Sequence, residues 1–170
     1  MADFQAHITQ AKKNLATLSE ISLNIQNSWD WQVTCAYYTA VHLVNAHLAN
    51  TVNQHYKTHV DVKKALYNDK WPCKIPDDIY TAYSILENFS RRARYLCHDA
   101  VDKTDDSIAY LIYDKHLKKA LKNLDLMLSY FSNLYGISFG KYPIDCIEIR
   151  DVQLKYFIYK KASVDITSQH

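Results

Sequence analysis

Between Asp30 and Lys57 the chain carries no Asp, Glu, Lys or Arg, yet its apolar side chains recur at helical steps. Val33, Tyr37, Ala40, Val44 and Leu48 share one side of a helix running from about Trp29 or Trp31 to Ala49. The other sides of this helix are scarcely more polar. A helix apolar on nearly all sides is buried on nearly all sides, so this one is either the centre of a bundle or part of a subunit interface. Gln32, Asn45 and its threonine and histidine side chains make it too polar to span a membrane.

The rest of the chain reads as further helices around that one. Phe4, Ile8, Ala11, Leu15 and Leu18 mark a first helix. Thr58 with Asp61 forms a capping pattern for a short helix ending near Tyr67. After the break at Trp71-Pro72 to Pro76, a helix opens on Asp77 and Asp78 and places Ile79, Ala82, Tyr83, Leu86, Ser90, Ala93 and Cys97 on its core side. A polar stretch, Asp102 to Ser107, precedes a long helix marked by Leu117, Leu121, Leu124, Leu128, Phe131 and Tyr135, with Gly136 as its C-cap. Ile144 to Ile149 and Leu154 to Tyr159 then read as two strands around Asp151-Val152-Gln153, a β-hairpin.

The expected fold is therefore mainly α: an up-and-down bundle of four to five helices over 1–136, with a C-terminal extension, 137–170, carrying the hairpin within the same domain. Two glycines and three prolines in 170 residues leave little material for a β-sandwich or a glycine-lined nucleotide loop. Four cysteines without a CxxC pair resemble neither a disulfide framework nor a zinc knuckle. The Met1-Ala2-Asp3-Phe4-Gln5 start lacks the regions of a signal peptide, which predicts a cytoplasmic protein. A net charge of +2 is too small to attract nucleic acid in bulk, so any such binding must come from local patches.

One such patch closes the fourth helix, in Ser90-Arg91-Arg92-Ala93-Arg94-Tyr95-Leu96-Cys97-His98. At about 100° per residue, Arg91, Arg94 and His98 fall in a narrow stripe at the margin between core and surface. Guanidinium forks hold phosphate oxygens, and imidazole moves its proton near neutral pH, so the stripe suits a phosphodiester. A plain basic helix end, favoured by the helix dipole, is the alternative. Tyr38, His42 and Asn45 form a second stripe on the second helix, lining the same cleft or acting as satisfied polar groups in a crowded interface. His55 and His59 have a four-residue spacing but no matched carboxylate or thiol, so neither a metal nor a cofactor is expected. Lys115, Lys118, Lys119 and Lys122 make a basic stripe that would track an RNA backbone or form an ordinary solvated face. Most of the fourteen tyrosines fall at core spacing; Tyr95, beside Arg94, is the candidate for base stacking.

The phrase Trp31-Gln-Val-Thr-Cys-Ala36-Tyr37-Tyr38-Thr-Ala40-Val-His42-Leu-Val-Asn-Ala46-His-Leu48 resembles the signature of HEPN-domain proteins, the nucleotide-binding helical bundles of higher eukaryotes and prokaryotes. His55 to His59, a short helix, and Tyr83, Leu86, Ser90-Arg91, Arg94-Tyr95 continue the pattern, so that the resemblance covers roughly residues 5 to 135. Many members of that family are metal-independent endoribonucleases with an arginine and a histidine separated by four to six intervening residues, paired across a homodimer. The resemblance maps this onto Arg91 or Arg92 with His98, and helical geometry favours Arg91. Active members carry Asn, Asp or His after the arginine, where this chain has Arg92 or Ala93.

The implied chemistry is proton transfer by His98 and charge stabilisation by Arg91 and Arg94, with Arg92, Tyr95, Tyr38, His42, His59 and the lysine stripe contacting RNA. The products would carry 2′,3′-cyclic phosphate ends. The implied role is a toxin of a toxin–antitoxin or phage-defence system. The rival expectation is a non-catalytic module that dimerises and binds a partner, such as a nucleotidyltransferase or another defence or antitoxin protein, with the hairpin edge as a docking surface.

Overall fold

Residues 3–53, 56, 58–67, 72–95 and 113–162 are described in the computed structural model. They form five helices: α1 (Phe4–Asn24), α2 (Trp29–Val52), α3 (His59–Tyr67), α4 (Asp77–Tyr95) and α5 (Tyr113–Tyr135). Two short strands follow, β1 (Tyr142–Ile144) and β2 (Phe157–Tyr159). The mainly α bundle with C-terminal strands is thus the observed architecture. Among the described residues no helix is long and apolar enough to cross a membrane.

Each helix starts and stops where local chemistry dictates. The Asp3 carboxylate accepts a hydrogen bond from the Ala6 amide at 2.8 Å and caps α1. Thr58 and Asp61 form the capping pair expected of α3: the Asp61 amide donates to Thr58 Oγ1 at 3.1 Å, and that hydroxyl donates to the Asp61 carboxylate at 2.7 Å. At the end of α5, Gly136 takes φ +65°. The Ile137 amide then reaches back to the Ser132 carbonyl at 3.1 Å, the closing bond of a glycine C-cap.

The uncharged α2 is the central helix. It packs against α1, α4 and α5, and buries Val33, Ala36, Tyr37, Ala40, Leu43, Val44, Ala46 and Leu48. Leu43 and Leu48 are fully enclosed, each worth roughly 1.5–3 kcal/mol of transfer free energy. α4 turns Ile79, Ala82, Tyr83, Leu86 and Ser90 inward, and α5 turns Leu117, Leu121, Leu124, Leu128 and Phe131 inward. His47, on the inner side of α2, holds two neighbours at once: Tyr135 Oη at 2.6 Å and the Cys73 carbonyl at 3.0 Å.

The C-terminal segment corrects the expected hairpin. β1 and β2 pair in parallel, Tyr142 opposite Phe157 and Ile144 opposite Tyr159, with a 3₁₀ turn, Ile147–Ile149, between them. Ile144, Cys146 and Ile149 are the buried positions. The step from 146 to 149 breaks the two-residue period of a strand and suits a three-residue turn. The return is set by α5: the Asp125 carboxylate accepts from the amides of Tyr156 at 2.8 Å and Lys155 at 3.2 Å. The chain is therefore carried across before it pairs, as a parallel connection requires.

Ser19 Oγ donates to the Pro143 carbonyl at 2.7 Å, the Asp145 amide donates to Ser22 Oγ at 2.9 Å, and Ile144, Ile149 and Phe157 join the core of the bundle. Asp125→Ala is expected to cost about 1–2 kcal/mol. It should also raise amide exchange selectively at Lys155 and Tyr156, which hydrogen-exchange measurements would read.

Candidate functional site

The basic end of α4 meets α2 where Arg94 faces Tyr38. Arg91, Arg92 and Arg94 are all exposed, while Ser90 between them and the core is fully buried. Arg94 Nε donates to the Ser90 carbonyl at 3.3 Å, which holds the side chain along its own helix. Its guanidinium carbon lies 6.0 Å from the centroid of the Tyr38 ring, cation over aromatic face. Tyr38 is 40% exposed, so the outer part of this pair is open to solvent.

Tyr37, the neighbouring residue on α2, turns into the core. It is 1% exposed, its ring is 5.7 Å from that of Tyr38, and the ring of Tyr83 on α4 is 6.0 Å away. Its hydroxyl meets Nδ1 of His59 at 3.0 Å. Because the Thr58–Asp61 cap fixes the first turn of α3, His59 is held at the helix start, exposed, against the end of a buried phenol. Burial pushes the Tyr37 hydroxyl up to about 12, with the Glu87 carboxylate adding to it and Tyr83 and Arg94 opposing. The Tyr83 hydroxyl is also pushed up, chiefly by burial. Both phenols therefore keep their protons throughout the neutral range. Glu87 is itself tied to Lys63 of α3 at 2.6 Å, which fastens α3 to α4 beside the site.

Of the residues expected from sequence, Arg94 thus meets Tyr38, and His59 meets Tyr37, the residue beside Tyr38 on α2. His42 makes a different contact: its Nδ1 lies 3.1 Å from Nδ1 of His7, across the seam between α1 and α2. The lysine stripe on α5 is divided. Lys118 turns to Glu148 at 3.3 Å, while Lys115, Lys119 and Lys122 are exposed. His98, His55 and the side chain of Tyr95 lie outside the described residues.

Tyr37 was legible only as part of the core stripe of α2. The available signal was chemical: a buried tyrosine carries a hydroxyl that needs a partner, and His59 opens the next capped helix. The exposure of Trp31, 63% and seven residues before Tyr38 on the same helix face, was likewise hidden by its apolar character.

Taken together, a planar cation, an open aromatic face and an oriented imidazole can hold an anionic group, stack a ring and exchange a proton. Compared with family models, with curated proteins and with solved structures, the chain has no significant match.

Proposed function

We propose that the chain is a metal-independent endoribonuclease of the HEPN type, working as a homodimer in the cytoplasm, as the toxin of a toxin–antitoxin or phage-defence system. The observation that supports it best is the meeting of Arg94, Tyr38 and the Tyr37–His59 pair at one end of the bundle. Phosphodiester cleavage needs charge stabilisation at the non-bridging oxygens, which Arg91 and Arg94 provide, and proton transfer at oxygen, assigned to His98. The 2′-oxygen attacks phosphorus, the bond to the 5′-oxygen breaks, and the products are a 2′,3′-cyclic phosphate and a 5′-hydroxyl. Arg92, Lys115, Lys119 and Lys122 add salt-dependent contacts to the RNA backbone.

A second reading has its own support. Trp31 exposes 63% of its surface on the face of α2 that also carries Tyr38, which favours a non-catalytic module that dimerises or docks a nucleotidyltransferase-type companion through aromatic anchors.

The test compares purified wild type with Arg91→Ala and His98→Ala on single-stranded and structured RNA in EDTA. Cleavage by wild type to cyclic-phosphate ends, lost by at least a hundredfold in both variants, is the expected result. Equal inertness of all three, with partner binding intact, favours the module.

A further inference from the structure

The two-strand sheet has one edge closed and one open. On β1, Pro143 has no amide hydrogen and its carbonyl already receives Ser19 Oγ at 2.7 Å, so no further strand can pair there. β2 differs. The Tyr142 amide donates to the Tyr156 carbonyl at 2.8 Å, and the Lys160 amide donates to the Ile144 carbonyl at 3.0 Å. With Pro143 opposite Ile158, the bonding toward β1 falls on Tyr156, Ile158 and Lys160. Alternate residues of a strand direct their amides and carbonyls to opposite edges, so those of Phe157 and Tyr159 face away from β1. Among the described residues the sheet ends at β2.

An open groove of about 720 Å³ lies against this strand, lined by all three residues of β2 and by none of β1. We infer that the groove binds an extended acidic peptide segment of a partner protein, added as a third strand beside β2. None of the lining residues belongs to the candidate site, so the groove can be filled whether or not the chain cleaves RNA.

The charge of the occupant follows from the lining. Lys141, Arg150 and Lys155 take part in it, and no carboxylate does. Asp151 lies 3.8 Å from Arg150, but its side chain is 87% exposed, and such a pair is worth little in water. Three cations therefore face the groove with their charge largely uncompensated.

The strand edge selects the kind of polymer. Phosphate oxygens accept hydrogen bonds only, so they would satisfy the Phe157 and Tyr159 amides and leave both carbonyls unmatched. A peptide strand offers amides and carbonyls in alternation and matches both. Ile149, Leu154 and Ile158 add apolar wall, and Ile158 is 43% exposed. A segment that alternates apolar and acidic residues turns one set to each side, which suits a groove with both kinds of lining.

The experiment titrates the full chain into a fluorescein-labelled octapeptide of alternating valine and glutamate, read by anisotropy, with amide NMR to locate the contact. Saturable binding that weakens with added salt and shifts the Phe157 and Tyr159 amide signals is the expected result. Joint replacement Lys141→Glu, Arg150→Glu and Lys155→Glu should weaken it at least about tenfold, with melting unchanged. Tyr159→Pro removes an outward amide and spares the bonds to β1, so a similar loss is expected. An octapeptide methylated on every backbone amide makes the same test on wild-type protein and should also lose at least about tenfold. No binding, or binding that survives charge reversal or methylation, overturns the proposal. So does single-stranded RNA that displaces the peptide and shifts the same signals, which gives the groove to nucleic acid. A wild-type dimer that Tyr159→Pro splits in the absence of peptide gives the edge to a second copy of the chain, and overturns it as well.

Discussion

His47→Ala should lower the unfolding free energy by about 3 kcal/mol. The imidazole is 4% exposed and packs against Phe131 and Tyr135, with ring centroids at 5.8 and 6.0 Å. The Cys73 carbonyl can only accept, so Nε2 carries the hydrogen and Nδ1 receives the Tyr135 hydroxyl. Truncation leaves a cavity and two polar groups without their partner. Urea unfolding measures the loss, and Tyr135→Phe, which removes the hydroxyl that meets His47 and Asn50 but little volume, should cost about 1–2 kcal/mol.

Burial also lowers the His47 pKa below its ordinary value, opposed by the Cys73 carbonyl bond. The sign follows from linkage. Above about pH 6.5 neither state binds the proton. As pH falls through that value the unfolded chain binds it first, so stability drops until pH passes the lower folded value. A series of melts from pH 7.5 to 5 should show this loss in wild type, and His47→Ala should lack that share of the slope.

The second large effect concerns the site. On the proposed nuclease reading, Arg94→Ala should reduce RNA cleavage about 10²–10³-fold, the scale expected when a preorganised charge is removed from a developing oxyanion. Because Arg94 is exposed, melting should change little. Arg94→Lys keeps the charge but loses the planar fork that lies over Tyr38, so a partial loss is expected. Tyr38→Phe preserves the ring face and should stay near wild type, while Tyr38→Ala should raise KM. Initial rates in EDTA, with products resolved by end chemistry, check all four.

Much of this architecture could be read in the sequence because single residues carried unambiguous physics. The absence of charge between Asp30 and Lys57 could be satisfied only by a helix enclosed on most sides. Thr58-x-x-Asp61 and Gly136 marked helix ends through hydrogen bonds that other residues make poorly. Ile144 to Ile149 misled because Ile144, Ile147 and Ile149 suit a strand and a strand-plus-3₁₀ step alike. What decides between them is Asp125, thirty residues upstream of the amides it holds, and no local pattern reports that. The site was half legible for the same reason. Arg91, Arg94 and His59 announce themselves by type, whereas Tyr37 disappears among aliphatic neighbours until its hydroxyl is seen against His59.

The two serine bonds joining α1 to the C-terminal segment set the order in which a growing chain can finish itself. Ser19 and the Pro143 carbonyl it meets are 124 positions apart, so at 5–20 residues per second roughly 6–25 s pass on the ribosome between them. α2, α3 and α4, which bear Tyr37, His59 and Arg94, emerge inside that interval. A nascent polypeptide therefore owns every described part of the candidate site before the seam of its first helix can shut. That open seam is where a chaperone or a protease would meet it first.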